Sequence, residues 1–204
     1  GYQDPVGVDK NYTSGAPPGY PKEFPACGPD VTTGEPHDSI MLRLEIKTPT
    51  NSKSFAFNVN MYTWEFPVYI CSEFNDFLVA MLSPIPQGQA DGNISFDSQG
   101  NPLSVNAGFL EVCTPQMAGT PPWTKNFPCL LGTSQLSGTG FEGHAATGWL
   151  QTSAPVESPG SNITVDLAVW DSGDGVLDTT GLFDNFRFEV EETPTVTKPV
   201  EDPK

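Results

Sequence analysis

Prolines and glycines punctuate this chain so often, 21 and 20 of them in 204 residues, that few stretches are long enough to form a helix. Proline removes a backbone donor and glycine gives up backbone order, so their spacing confines regular structure to short strands joined by turns. Where the chain runs uninterrupted, apolar residues recur at every second position. Between Ser39 and Lys47, Ile40, Leu42, Leu44 and Ile46 alternate with Met41, Arg43, Glu45 and Lys47. That period predicts a half-buried strand with the first set in the core and the second in water. Phe55, Phe57, Val59 and Met61 repeat the pattern against Ser54, Ala56, Asn58 and Asn60, while Phe77 to Leu82 is apolar on both faces and so belongs in the middle of a sheet. Asn93 to Phe96 and Phe109 to Val112 are shorter candidates; Ala146 to Gln151, Ile163 to Trp170 and Leu182 to Val190 have full strand length. With about eight or nine strands and no internal repeat, the expected fold is all-β, a single jelly-roll-like antiparallel β-sandwich.

The ends read differently. Residues 1–38 form a Pro/Gly-rich arm without hydrophobic period, residues 39–191 hold the sandwich, and residues 192–204 read as a Pro-rich tail or linker. If either arm is ordered, the body of the domain or a neighbouring molecule must hold it.

A formal charge of −16, from 25 acidic and 9 basic residues, repels nucleic-acid phosphates and anionic lipid, so neither is an expected partner. The same excess suits a soluble secreted protein, or one whose carboxylates gather cations. Cys27, Cys71, Cys113 and Cys129 include no C-x-x-C pair and lie at no zinc-finger spacing from a histidine. Two disulfides are the expected state, Cys113 with Cys129 across the Pro-rich loop between them and Cys27 with Cys71 tying the arm to the sheet. That chemistry places the protein outside the cytoplasm, secreted or at the cell surface. Gly1 is followed by no charged region and no apolar run of signal length, so any export signal is expected to have been removed, and no stretch approaches the ~20 apolar residues of a membrane span.

Catalytic signatures are missing: there is no G-x-S-x-G, H-E-x-x-H, P-loop or G-x-G-x-x-G. His37 and His144 each stand alone, so the chain reads more as a binding protein than as an enzyme, with a hydrolase working through paired carboxylates as the minor alternative. The acidic stretch Asp171-Ser-Gly-Asp-Gly-Val-Leu-Asp178 departs from the EF-hand pattern, leaving turn duty and ion binding both open for Asp171, Asp174 and Asp178. Asp76 in Phe74-Asn-Asp-Phe77 and Asp184 in Leu182-Phe-Asp-Asn-Phe186 are set among aromatics inside predicted strands. A carboxylate there loses hydration and must recover it from donors or a cation. Ca²⁺ takes six to eight oxygens, and the candidate ligands are Asp184, Asp76, Asn75, Glu73 and Asp171, with Arg43 and Arg187 as rival ion-pair partners. Trp123, expected on a displayed loop in Thr120-Pro-Pro-Trp-Thr-Lys, and Tyr69 are the candidates for stacking on a sugar.

The blocks Ser72-Glu-Phe-Asn-Asp-Phe-Leu-Val-Ala80, Ala146-Thr-Gly-Trp-Leu150 and Val169-Trp-Asp-Ser-Gly-Asp-Gly-Val-Leu-Asp178, running into Leu182-Phe-Asp-Asn-Phe186, resemble the bacterial "choice-of-anchor" surface domains. The resemblance implies an exported β-sandwich, similar in outline to calcium-containing carbohydrate-binding jelly rolls, in which Asp184 matches a structural calcium ligand of the last strand. The function expected is a surface binding or adhesion module, calcium-stabilised, for polysaccharide or another surface protein. The rival is a structural subunit of a surface fibre or matrix that self-assembles through its terminal arms.

Overall fold

The computed structural model describes residues 15–23, 27–28, 31 and 33–200; the outer part of the predicted arm, residues 1–14, and residues 201–204 of the tail lie outside them. Eleven strands are formed among the described residues: β1 Pro36–Lys47, β2 Ser54–Thr63, β3 Phe77–Ser83, β4 Leu103–Ser104, β5 Gln116–Thr120, β6 Trp123–Phe127, β7 Ala145–Ala146, β8 Leu150–Pro155, β9 Asn162–Ser172, β10 Thr179–Glu189 and β11 Val196–Pro199. One short 3₁₀ turn, Ser134–Leu136, is the helical element among them. The strands pair antiparallel in two principal sheets, β1-β9-β3-β4 and β10-β2-β8-β11 with β7 added beside β2, plus a separate β5-β6 hairpin. The all-β, sandwich-like body predicted from the two-residue period is what the chain forms.

The alternation builds the core directly. Phe55, Phe57, Val59 and Met61 of β2 face Leu78, Ala80 and Leu82 of β3 and Ile163, Val165 and Leu167 of β9 in one apolar cluster. Phe186 of β10 stacks on Phe55 and Phe57 with ring centroids 5.4 and 6.3 Å apart. Both predicted disulfides form, Cys27–Cys71 and Cys113–Cys129, which fits an extracytoplasmic setting. No helix of the described residues is long and apolar enough to cross a membrane.

Several expectations change once the layers are assembled. In β1 the predicted inward row splits: Leu44 and Ile46 pack against the core, but Ile40 and Leu42 are 68% and 55% exposed; β1 is an edge strand with a neighbour, β9, on one side only. In β2 the predicted water-facing row is buried, Asn58 and Asn60 included. Near its end a cluster of Tyr62, Val112, Leu136, Phe141 and Ala146 covers that outer face, and Thr147 Oγ donates toward Asn60 Oδ1 at 3.2 Å. The Pro-rich loop between Cys113 and Cys129 contains the β5-β6 hairpin. Asn93–Phe96 and Phe109–Val112 contribute isolated bridges in place of strands.

Both arms are held by the body where they are described. Ala16 and Tyr20 lie on the outer face of the first sheet against Phe77, Val79, Ala168 and Trp170, with the Tyr20 ring edge-on to Trp170 at 5.6 Å. Trp170 is thus a packed residue. In the tail, β11 adds to β8 with Thr197 opposite Thr152, and their hydroxyls lie 2.9 Å apart. Val196 is half-buried and no run of large apolar residues announces this strand; it is recruited by backbone pairing and buried hydroxyl contacts.

A buried carboxylate cluster at one end of the sandwich

Antiparallel pairing brings particular strand ends together. Thr63 at the end of β2 pairs with Thr179 at the start of β10, Phe77 at the start of β3 pairs with Trp170 of β9, and Pro36 at the start of β1 pairs with Ser172 at the end of β9. These strand ends and the connections leaving them carry Asp38 of β1, Asp171 of β9, and Glu65, Asp76, Asp174 and Asp178, so residues far apart in sequence meet at a single end of the fold. Close backbone contact locks the arrangement. Gly34 donates to the Glu73 carbonyl and Gly173 to the Glu35 carbonyl, and a Cβ on Gly34 would stand 2.4 Å from the Gly173 Cα. Only glycine permits that approach.

Asp76 is completely buried. Its Oδ1 accepts the Ser172 N–H at 2.9 Å and its Oδ2 accepts the Thr179 hydroxyl. Glu65 N–H donates to Thr63 Oγ at 3.1 Å, and the single proton of the Thr179 hydroxyl is shared between Asp76 Oδ2 and Thr63 Oγ, the latter 3.1 Å away. These donors lower the proton affinity of Asp76, yet burial and then the Glu65 charge outweigh them and hold it well above the usual aspartate value.

Glu65 is 3% exposed, and its Oε2 is buried with no hydrogen-bond partner among the described residues. Burial first, then the charges of Asp174 and Asp171, push it up to about 8. Asp171 is pushed up to about 9, by burial first and then by Asp76, Asp38, Asp178 and Asp174. The charges acting on Glu65 and Asp171 are therefore all negative. Such a group accepts protons or a cation, since either removes the repulsion. Among the described residues no three His, Cys, Asp or Glu side chains are close enough to enclose a metal by themselves. A hard cation here would need neutral oxygens as well, which Ca²⁺ readily takes and zinc does not.

The cluster opens outward. A pocket of about 270 Å³ is lined by Glu65, Tyr69, Phe74, Asp174, Val176 and Leu177. Tyr69 is 39% exposed, and its ring stands edge-on to Phe74 at 5.2 Å.

The predicted site residues separate into groups. Asp76 and Asp171 belong to the cluster, and Tyr69 stands at its mouth. Asn75 flanks it, but its Oδ1 accepts the Asn106 N–H at 2.8 Å, which gives it a structural task. Glu73 is exposed, and its carbonyl accepts from Gly34 and Asn75. Asp184 lies elsewhere: it is exposed, five residues along β10 from Thr179, about 17 Å away at ~3.3 Å per residue. Its Oδ1 accepts the N–H of Asn185, which has φ +55°, at the register shift of β10. Asp-Asn is here the signature of a β-bulge, since asparagine tolerates the left-handed region. The dehydration inferred for Asp184 from its aromatic neighbours does not occur, because the bulge turns its carboxylate out to water. Arg187 and Arg43 pair with Glu189 and Asp166, not with Asp76 or Asp184. Trp123 begins β6, half-buried rather than displayed, its ring so close to Gly28 that a Cβ there would meet it at 2.5 Å. His144 stacks on Trp64 at 3.9 Å and points Nδ1 at the Phe66 carbonyl.

Sequence reading missed Glu65. Its signal was available in Trp64-Glu-Phe66, the same carboxylate-between-aromatics criterion that singled out Asp76. No protein-family model matches the chain, nor does any curated protein or solved structure.

Proposed function

We propose that this chain is an extracytoplasmic surface binding or adhesion module, of jelly-roll type and akin to choice-of-anchor domains, whose loop end is stabilised by a calcium ion. One observation carries this reading: Glu65, Asp76, Asp171 and Asp174 sit together with Glu65 and Asp76 buried, and burial and then like charge raise the proton affinity of Glu65, Asp76 and Asp171. Glu65 and Asp174, which line one pocket, are the ligand carboxylates, Asp171 and Asp76 add their charge from behind, and carbonyl and hydroxyl oxygens of the same loops complete the set. Bound calcium supplies charge neutralisation and holds the β2–β3 and β9–β10 connections together. Tyr69, exposed beside the same pocket, offers an apolar face to a ligand whose hydroxyls suit an oxygen-coordinated ion, the chemistry of a polysaccharide.

The test has two stages. Calcium titration by calorimetry and thermal unfolding establishes the ion; a glycan array with calcium or chelator then establishes the ligand. Tyr69→Ala is expected to abolish glycan capture while leaving the calcium-dependent rise in melting temperature intact. Absence of any calcium-dependent rise would remove the ion from the reading, and a blank array in calcium would remove the polysaccharide.

A further inference from the structure

The strand β1 ends its sheet, and its outer edge pairs with no strand among the described residues. Edges are ordinarily blunted by charge, proline or a bulge. β1 confines its proline and its bulge to the start, Pro36 and the register shift between His37 and Ile40; beyond them it shows Ile40, Met41 and Leu42 at 68%, 51% and 55% exposure, then the charges Arg43, Glu45 and Lys47, with regular pairing to β9 from Ile40 to Lys47. From the charge order along this edge we infer that β1 is the site of self-association, pairing antiparallel with β1 of a second copy about a two-fold axis through Leu44.

The register follows from geometry. A two-fold axis normal to the sheet keeps inward residues inward, so opposed residues must come from the same alternating row and the axis must pass through a residue. At Arg43 the axis would set two arginines face to face. At Glu45 it would oppose two glutamates and set Arg43 against Lys47. At Leu42 it would leave Arg43 opposite Met41 and Glu45 opposite Ser39. At Leu44, Arg43 faces Glu45 of the second copy twice, Leu42 faces Ile46 twice, and Leu44 faces itself. The Arg43 and Glu45 charges are matched, Lys47 faces Met41, and the inner-face apolar row runs unbroken through Leu42, Leu44 and Ile46. Arg43 already gives Nε and Nη2 to Asp166, each at 2.8 Å, and its Nη1 remains for the second copy's Glu45. The net charge of −16 opposes association at low salt, so the measurement belongs at about 0.15 M, where screening acts over ~8 Å.

The inference is independent of calcium. Its test is sedimentation equilibrium of the full chain with Arg43→Glu and Glu45→Arg, each shown folded by circular dichroism. Wild type is expected to dimerise reversibly. Each variant alone opposes like charges and should associate at least about tenfold more weakly, whereas an equimolar mixture restores both Arg-Glu pairs and should dimerise as wild type does. The exposed Leu42→Lys provides a second disruption. A wild-type monomer at the highest soluble concentration overturns the proposal, as does dimerisation indifferent to the three substitutions or a mixture no tighter than its components. A chain lacking residues 1–14 that dimerises while the full chain stays monomeric would assign the edge to the N-terminal segment and equally overturn it.

Discussion

Replacing Glu65 by glutamine separates the two ways in which the carboxylate cluster can be neutralised. In chelator the folded protein holds the Glu65 proton up to about 8, whereas the unfolded chain releases it near the ordinary value of 4.5. Between those values the native state binds more protons than the unfolded state, so stability falls as pH rises. The penalty is absent below the unfolded value and complete above the folded one. At about 1.4 kcal/mol for each tenfold change in proton affinity the full span is about 5 kcal/mol, and coupling to Asp171, itself pushed up to about 9, reduces it, giving about 2–5 kcal/mol. Glu65→Gln keeps the shape and removes the charge. In chelator at about pH 9 the variant should therefore be more stable than wild type by about 2–5 kcal/mol, and at about pH 4 the two should agree within about 1 kcal/mol. Saturating calcium should reverse the order, since wild type gains binding energy and the variant has lost a ligand. Urea unfolding followed by tryptophan fluorescence, with chelator or calcium at each pH, measures all four states. A variant less stable than wild type at high pH in chelator would refute the view that uncompensated negative charge dominates this end of the fold.

Asp171→Asn should sharply weaken the calcium response, whereas Asp184→Asn should leave it unchanged because Asp184 is exposed on the β10 bulge; calorimetry on the pair decides between them. Phe57→Ala removes a ring that is buried between the sheets and stacked on Phe186, and should destabilise by about 3–5 kcal/mol in denaturant titration. Replacing Cys113 and Cys129 together by serine opens a loop with a sequence separation of 16 residues and should lower stability by about 3 kcal/mol, measured on the folded, oxidised protein.

The tasks of individual carboxylates show where local reading stops. Asp76 and Glu65 both occur in aromatic surroundings, and the inference that a carboxylate there loses its hydration holds for both. The same inference fails at Asp184, because backbone geometry at Asn185 turns the side chain to solvent. Trp123 illustrates the reverse: its Pro-Pro context suggested display, but the Cys27–Cys71 bond brings the arm, and Gly28 with it, against the ring.

Short-range regularities in the chain were enough to settle strand chemistry, the apolar row of β2, the oxidised cysteines and the acidic character, because each depends on residues within one element or on composition. Contacts among distant segments decided the rest: which apolar residues of β1 are left uncovered, which polar residues of β2 are enclosed, how the tail becomes a strand, and which carboxylates meet. Side-chain burial depends on what packs against an element, and charge coupling on distance through space. Both are fixed only when antiparallel pairing brings Thr63, Phe77, Ser172 and Thr179 to the same end of the sandwich.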